Sequence, residues 1–126
     1  MLADSDPPAF RLTCAEVPGT AHVVAVSGEV DDPNTAKVDD EVDDLVESGA
    51  HHVIVDLLEV PFLHASFPAA LLRHVRRLRA GGGDLTIVTD DARISRVFEI
   101  SGLQSDFNFE LTLTDALEDA VAEARP

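Results

Sequence analysis

The chain has 126 residues, enough for one domain whose core buries roughly two-thirds of the unfolded surface. Its 24 acidic residues against 9 basic ones give a net charge of −15. That balance argues against nucleic acid and anionic lipid as partners, because both are bound through lysine and arginine. Cys14 is the single cysteine, so no internal disulfide forms and a reducing compartment fits. No apolar run approaches the ~20 residues of a membrane-crossing helix, and no basic segment followed by an apolar one opens the sequence. The expected location is the cytoplasm.

Residues 1–8 read as a loose polar arm ending in Pro7-Pro8, and residues 9–126 as one domain. From Phe10 to Glu16 the pattern alternates, with Phe10, Leu12 and Cys14 on one face of a first strand; Cys14 reads there as a small core residue. Val17-Pro18-Gly19-Thr20 is a turn, and His22–Val26 a second strand, so the pair forms a hairpin. After Ser27-Gly28-Glu29-Val30-Asp31-Asp32-Pro33, the residues Val38, Val42, Leu45 and Val46 recur at helical spacing up to Gly49. The outer face of this helix carries Asp39, Asp40, Glu41, Asp43, Asp44 and Glu47. Two readings stand: a solvated face that keeps the protein dissolved, or a docking face for a basic partner.

A third strand, His52–Leu57, is rich in β-branched residues and suits burial on both sides. A helix over about 68–80 then places Leu71, Leu72, Val75 and Leu78 inward, with Arg73, Arg76, Arg77 and Arg79 largely outward. Gly81-Gly82-Gly83 closes it, without the spacing or the Lys-Ser/Thr ending of a phosphate loop. Leu85–Thr89 is a fourth strand. Ala92–Ser101 is a helix with Ile94, Val97 and Phe98 inward, stopped by a left-handed Gly102. Phe107–Leu111 reads as a short strand or turn, and Thr114 as the cap of a last helix bearing Leu117, Ala120, Val121 and Ala124. Strands alternating with helices predict an α/β fold, a four- to five-stranded mixed sheet with about four helices.

The stretch Val60–Leu72 joins the third strand to the arginine-bearing helix and draws most of the chemistry. Ser66 sits where free backbone N–H groups and the helix dipole favour negative charge. Its hydroxyl serves either as a local cap or as an acceptor for a phosphoryl group. Pro68 disfavours helical conformation in Phe67, which argues for Phe67 as the cap residue with Ser66 one step outside; Ser66 as the cap itself, with Pro68 within the first turn, is the other reading. The Phe67 ring either folds into the core or stands out as an apolar contact. His64 is either a satisfied loop residue or a contact whose charge changes near neutrality. A Ser66–His64 nucleophile pair is set aside, because residues two apart around a turn rarely reach the needed geometry and no Gly-x-Ser-x-Gly elbow is present. His22, His51 and His52 lack the spacing of a metal site, and no cofactor motif occurs.

Taken together, several stretches resemble the STAS domain, and within it the small bacterial anti-sigma-factor antagonists. Ser27-Gly28-Glu29-Val30-Asp31 resembles the family's turn after its second strand. Val53-Ile54-Val55-Asp56-Leu57 with Val60-Pro61-Phe62-Leu63 resembles its central strand and loop. Gly83-Asp84-Leu85-Thr86-Ile87-Val88, Arg96–Leu103 and Thr114-Asp115-Ala116-Leu117 resemble its later elements, so that about 10–124 is covered. The resemblance implies a non-enzymatic protein that binds an anti-sigma factor of the serine-kinase type and is released when one serine is phosphorylated. Against the family's Asp-Ser-Ser-Gly-Leu stand His64-Ala65-Ser66-Phe67-Pro68, which keep only the acceptor, Ser66. The implied partner surface comprises Asp31, His64, Ser66 and Phe67, with Asp31 and Asp32 on an adjoining loop. A module that no longer switches, acting as a scaffold or small-ligand sensor, is the alternative, and a weak homodimer stays open.

Overall fold

The computed structural model describes residues 9–124, so the expected arm over 1–8 lies outside the described residues. Two strands open the domain, β1 (Arg11–Val17) and β2 (Ala21–Ser27), antiparallel, with the turn closed by Thr20 N–H donating to Val17 at 2.9 Å. There follow α1 (Asp32–Glu47), β3 (His52–Glu59), α2 (Phe67–Ala80), β4 (Asp84–Val88), α3 (Ala92–Ser101), β5 (Asn108–Glu110) and α4 (Leu113–Ala124). The sheet order is β1-β2-β3-β4-β5, and every pairing after the hairpin is parallel. The α/β fold, the mixed sheet and the four helices match the expectation.

The topology decides where the helices go. Parallel strands added one after another by right-handed crossovers place all their connecting helices on one face. Accordingly α1, α2 and α3 cover a large core built on Val24, Val55, Leu71, Leu85, Ile87 and Phe98. Only α4, which follows the last strand, lies on the opposite face, over Ala21, Val23, Ile54 and Val88. β3 is sandwiched between the two layers, and Val53, Ile54, Val55 and Leu57 are all within 1% of complete burial. Phe98 gathers the aromatic rings, with Phe67, Phe107 and Phe109 edge-on at 6.2, 5.1 and 5.1 Å.

The acidic face of α1 is only partly a solvated one. Asp43 accepts from Arg73 and Arg77 at 3.1 and 2.8 Å, and Asp39 from Arg73 at 3.2 Å and from fully buried His74 at 2.5 Å. The arginines of α2 thus neutralise the near edge of α1, while Asp40, Asp44 and Glu47 face water. The apolar periodicity of α2 did not reveal that His74 lies inside with Leu71 and Val75. Because His74 Nδ1 has no partner among the described residues, its proton belongs on Nε2, which donates to Asp39.

Two sequence readings change. Cys14 is exposed, because β1 is an edge strand that α1 reaches only at its margin; burial of part of the thiol and the nearby Glu41 push its pKa above the ordinary value. Thr112, not Thr114, caps α4, accepting the Asp115 N–H at 3.0 Å; packing of Leu113 beneath the sheet starts the helix earlier. Gly102 ends α3 at φ 78°, as its position implied. Gly83 is fixed by space instead: a Cβ there would overlap the carbonyl of His51, which accepts from Asp84 N–H at the start of the β3–β4 ladder.

Candidate functional site

β2 and β3 are parallel neighbours, so the loops that leave them emerge side by side at one end of the sheet. The two loops are then stapled beyond the sheet. Gly28 N–H donates to Glu59 at 3.1 Å, Val30 N–H to Phe62 at 2.9 Å, and His64 N–H to Val30 at 2.8 Å. Val30 and Leu63 form an isolated parallel bridge and bury their side chains to 0 and 3%. Gly28, at φ 85°, lets the segment before β1 lie against this turn, since a Cβ there would be 2.7 Å from the carbonyl oxygen of Ala9. In consequence the N-termini of α1 and α2 open next to each other, one carrying Asp31 and Asp32, the other His64 and Ser66.

Ser66 is half-buried and occupies the position before the first residue of α2, with helical angles of φ −75° and ψ −14°. A capping side chain needs extended angles there, and the Ser66 hydroxyl makes no cap bond. Of the two cap readings the second is realised: Ser66 stands at the cap position, Phe67 is the first helical residue and Pro68 the second. The physical reason is burial: the ring of Phe67 is 0% exposed and edge-on to Phe98. Such burial contributes about 1.5–3 kcal/mol, enough to outweigh the pre-proline preference. Phe67 therefore leaves the expected contact surface. Of its alternatives, the core is realised.

The freed hydroxyl turns across to the other loop. Ser66 Oγ–H donates to Asp32 Oδ1 at 2.8 Å, while His64 Nδ1 lies 2.8 Å from Ser66 Oγ and accepts the Ser66 backbone N–H at 3.1 Å. His64 Nδ1 is also 3.8 Å from Asp32 Oδ1, and the two side chains are 42% and 70% exposed. One hydroxyl proton thus has two acceptors, the carboxylate and the imidazole. The distance argument used to set aside a Ser66–His64 pair is overturned, since the tight turn Phe67 N–H→His64 O at 3.0 Å folds the ring back over the serine.

Asp31 plays a different part from Asp32. Its carboxylate caps α1 by accepting the Asn34 N–H at 2.8 Å, and makes no bond to Ser66. The structure thus brings His64 and Ser66 together, keeps Asp31 exposed one residue away, and adds Asp32 as the direct partner. The exposed ring of this region is Phe62, at 48%. At the other end of the sheet a cavity of about 420 Å³ is lined by Glu16, His22, His51, His52 and Glu123, with His52 Nδ1 3.4 Å from Glu123. Among the described residues no group of three His, Cys, Asp or Glu side chains is placed to hold a metal ion, and no helix is long and apolar enough to cross a membrane.

Residues 14–116 match the STAS domain. The chain belongs to the STAS domain family. Its fold is similar to an anti-sigma factor antagonist from Mycobacterium paratuberculosis, with a TM-score of 0.79 and 24% identity over 90% of this chain and 95% of that one. It is also similar to the anti-sigma factor antagonist SpoIIAA in its unphosphorylated form, with a TM-score of 0.75 and 22% identity over 90% and 97% of the two chains. The phosphorylated form of the Bacillus cell fate determinant SpoIIAA gives a TM-score of 0.66 at 22% identity over 88% and 98%. At these identities the likeness establishes a shared fold.

Proposed function

We propose that this STAS domain is an anti-sigma-factor antagonist, acting in the cytoplasm by binding an anti-sigma factor of the serine-kinase type, with Ser66 as the phosphorylated residue. It works by binding and performs no reaction of its own. The observation that carries the reading is the Ser66 hydroxyl, half-exposed at the mouth of α2 and held by Asp32 at 2.8 Å. Support comes too from a protein of the same fold, SpoIIAA, described in unphosphorylated and phosphorylated forms.

The physical switch follows from the geometry. A phosphoryl group brings about −1.5 to −2 charge at neutral pH. On Ser66 it removes the hydroxyl proton that Asp32 accepts, and sets a dianion beside a carboxylate. Asp31, with its side chain committed to α1, adds to the repulsion. The α2 dipole offsets this by roughly 0.3 to 1 kcal/mol. A partner fitted to the bare hydroxyl then meets a concentrated negative charge.

The test is binding of the purified domain to each anti-sigma factor encoded in its source genome, with and without ATP. One of them should bind the wild type and lose at least tenfold in affinity for Ser66→Asp, and ATP should add one phosphate at Ser66 by mass spectrometry. Binding that is indifferent to Ser66→Asp, with no phosphate added, would leave a non-switching scaffold instead. His64, Ala65, Phe67 and Pro68, which replace the family's residues around the acceptor, are the observation favouring that second reading.

A further inference from the structure

We infer that Phe62 is the apolar anchor of the partner surface, and that its partner presents an apolar socket rimmed by basic side chains. The inference rests on the anti-sigma-factor reading and adds to it the chemistry of the surface that is recognised.

Among the described residues the large apolar side chains left in water are Leu58, Phe62, Ile100, Leu111 and Val121. Two of these belong to the segment leading to Ser66, and Phe62 is the aromatic one. A single exposed leucine or valine is ordinary on any surface. A phenyl ring is different when its backbone is held so that it cannot turn inward. The Phe62 carbonyl accepts the Val30 N–H at 2.9 Å, and the next residue, Leu63, is buried to 3% by the Val30 bridge. Turning the ring into the core would break that bridge and expel Leu63. The ring is therefore presented by a rigid loop, and little conformational freedom is lost when a partner covers it.

Charge then specifies the rim. The same two stapled loops carry Glu29, Asp31, Asp32 and Glu59, all exposed. From Glu29 to Ser66 the only lysine or arginine is Lys37, whose ammonium is drawn off over the ring of Phe10 at 5.7 Å. The arginines of α2 that point toward α1, Arg73 and Arg77, are occupied by Asp39 and Asp43. An apolar knob ringed by carboxylates complements a socket ringed by Lys or Arg, and a neutral or acidic rim would oppose it. Placement beside Ser66 makes the two features one device: the ring supplies affinity, and the serine decides whether it is used.

The experiment measures biolayer-interferometry affinities for the anti-sigma factors of the source genome, using wild type, Phe62→Ala, Phe62→Leu and Ser66→Asp. Phe62→Ala should weaken the captured partner at least tenfold, and Phe62→Leu should restore most of the loss. Wild-type affinity should fall as sodium chloride rises from about 50 to about 300 mM, as charge complementarity requires. Melting curves of Phe62→Ala should match wild type, so that a loss reports the contact. Phe62→Ala within twofold of wild type overturns the anchor while the serine switch stands. Affinity that is flat or rises with salt overturns the basic rim. Loss with Phe62→Ala but none with Ser66→Asp keeps the anchor and removes the switch. No capture of any anti-sigma factor by the wild type overturns both.

Discussion

Phe62 and Phe67 are five positions apart in one loop-to-helix segment and have opposite fates, 48% exposed against 0%. Truncating the second leaves a hole against Phe98 and its neighbours, so Phe67→Ala should lose about 3–5 kcal/mol of stability in urea unfolding. Phe62→Ala should stay within about 0.5 kcal/mol of wild type in the same measurement. The sequence allowed both outcomes for Phe67, because an apolar residue before a proline reads equally as a core residue or as a surface contact. The ring of Phe98 that decides the matter is 31 positions away. The same applies to Asp32. Nothing local distinguishes it from Asp31, and only the pairing of the two loops shows that one caps a helix while the other accepts the hydrogen bond of the serine hydroxyl.

Between elements, the α1–α2 contact is electrostatic at its rim and polar even where buried. His74 is sealed inside and relies on Asp39 as its only hydrogen-bond partner among the described residues. Asp39→Ala strands the Nε2–H without water, and should cost about 1–3 kcal/mol in chemical denaturation. The link between β5 and α4 is of another kind. Glu110 pairs with the Asp119 carboxyl, and this bond, partial burial and the nearby charges of Asp119 and Asp115 push its pKa up to about 7. In the unfolded chain Glu110 returns to its ordinary value of 4.5, so between these values the folded form holds a proton that the unfolded form has given up. The stabilisation is fully present below pH 4.5, declines as the pH rises through about 7, and is absent above. Melting temperatures taken in steps across that range should show the decline in wild type and a flatter profile in Glu110→Gln. Helix spacing made α1, α2 and α3 legible from Val38-Val42, Leu71-Leu78 and Ile94-Phe98. The ion pairs between α1 and α2 were not, since a face rich in Asp reads the same whether water or arginine meets it.

At the scale of the whole chain, a net charge of −15 on 126 residues sets a general self-repulsion that local pairs only partly relieve. Moderate salt should therefore raise the melting temperature, even as it weakens the proposed partner contact, and scanning calorimetry at low and physiological ionic strength checks this. The strand–helix alternation made the fold readable end to end, because each crossover leaves a change of period in the sequence. The direction in which α4 packs was not readable, since its apolar stripe fits either side of a sheet; only its place after the last parallel strand puts it on the open face. The paired exit loops have one more consequence. The amides of Val30 and His64 sit in segments that would ordinarily swap their hydrogens with deuterium within moments. Locked into the short bridge past the sheet, they should instead exchange as slowly as the middle of β3, marking a hard frame around the serine that labelling followed by mass spectrometry or NMR can trace.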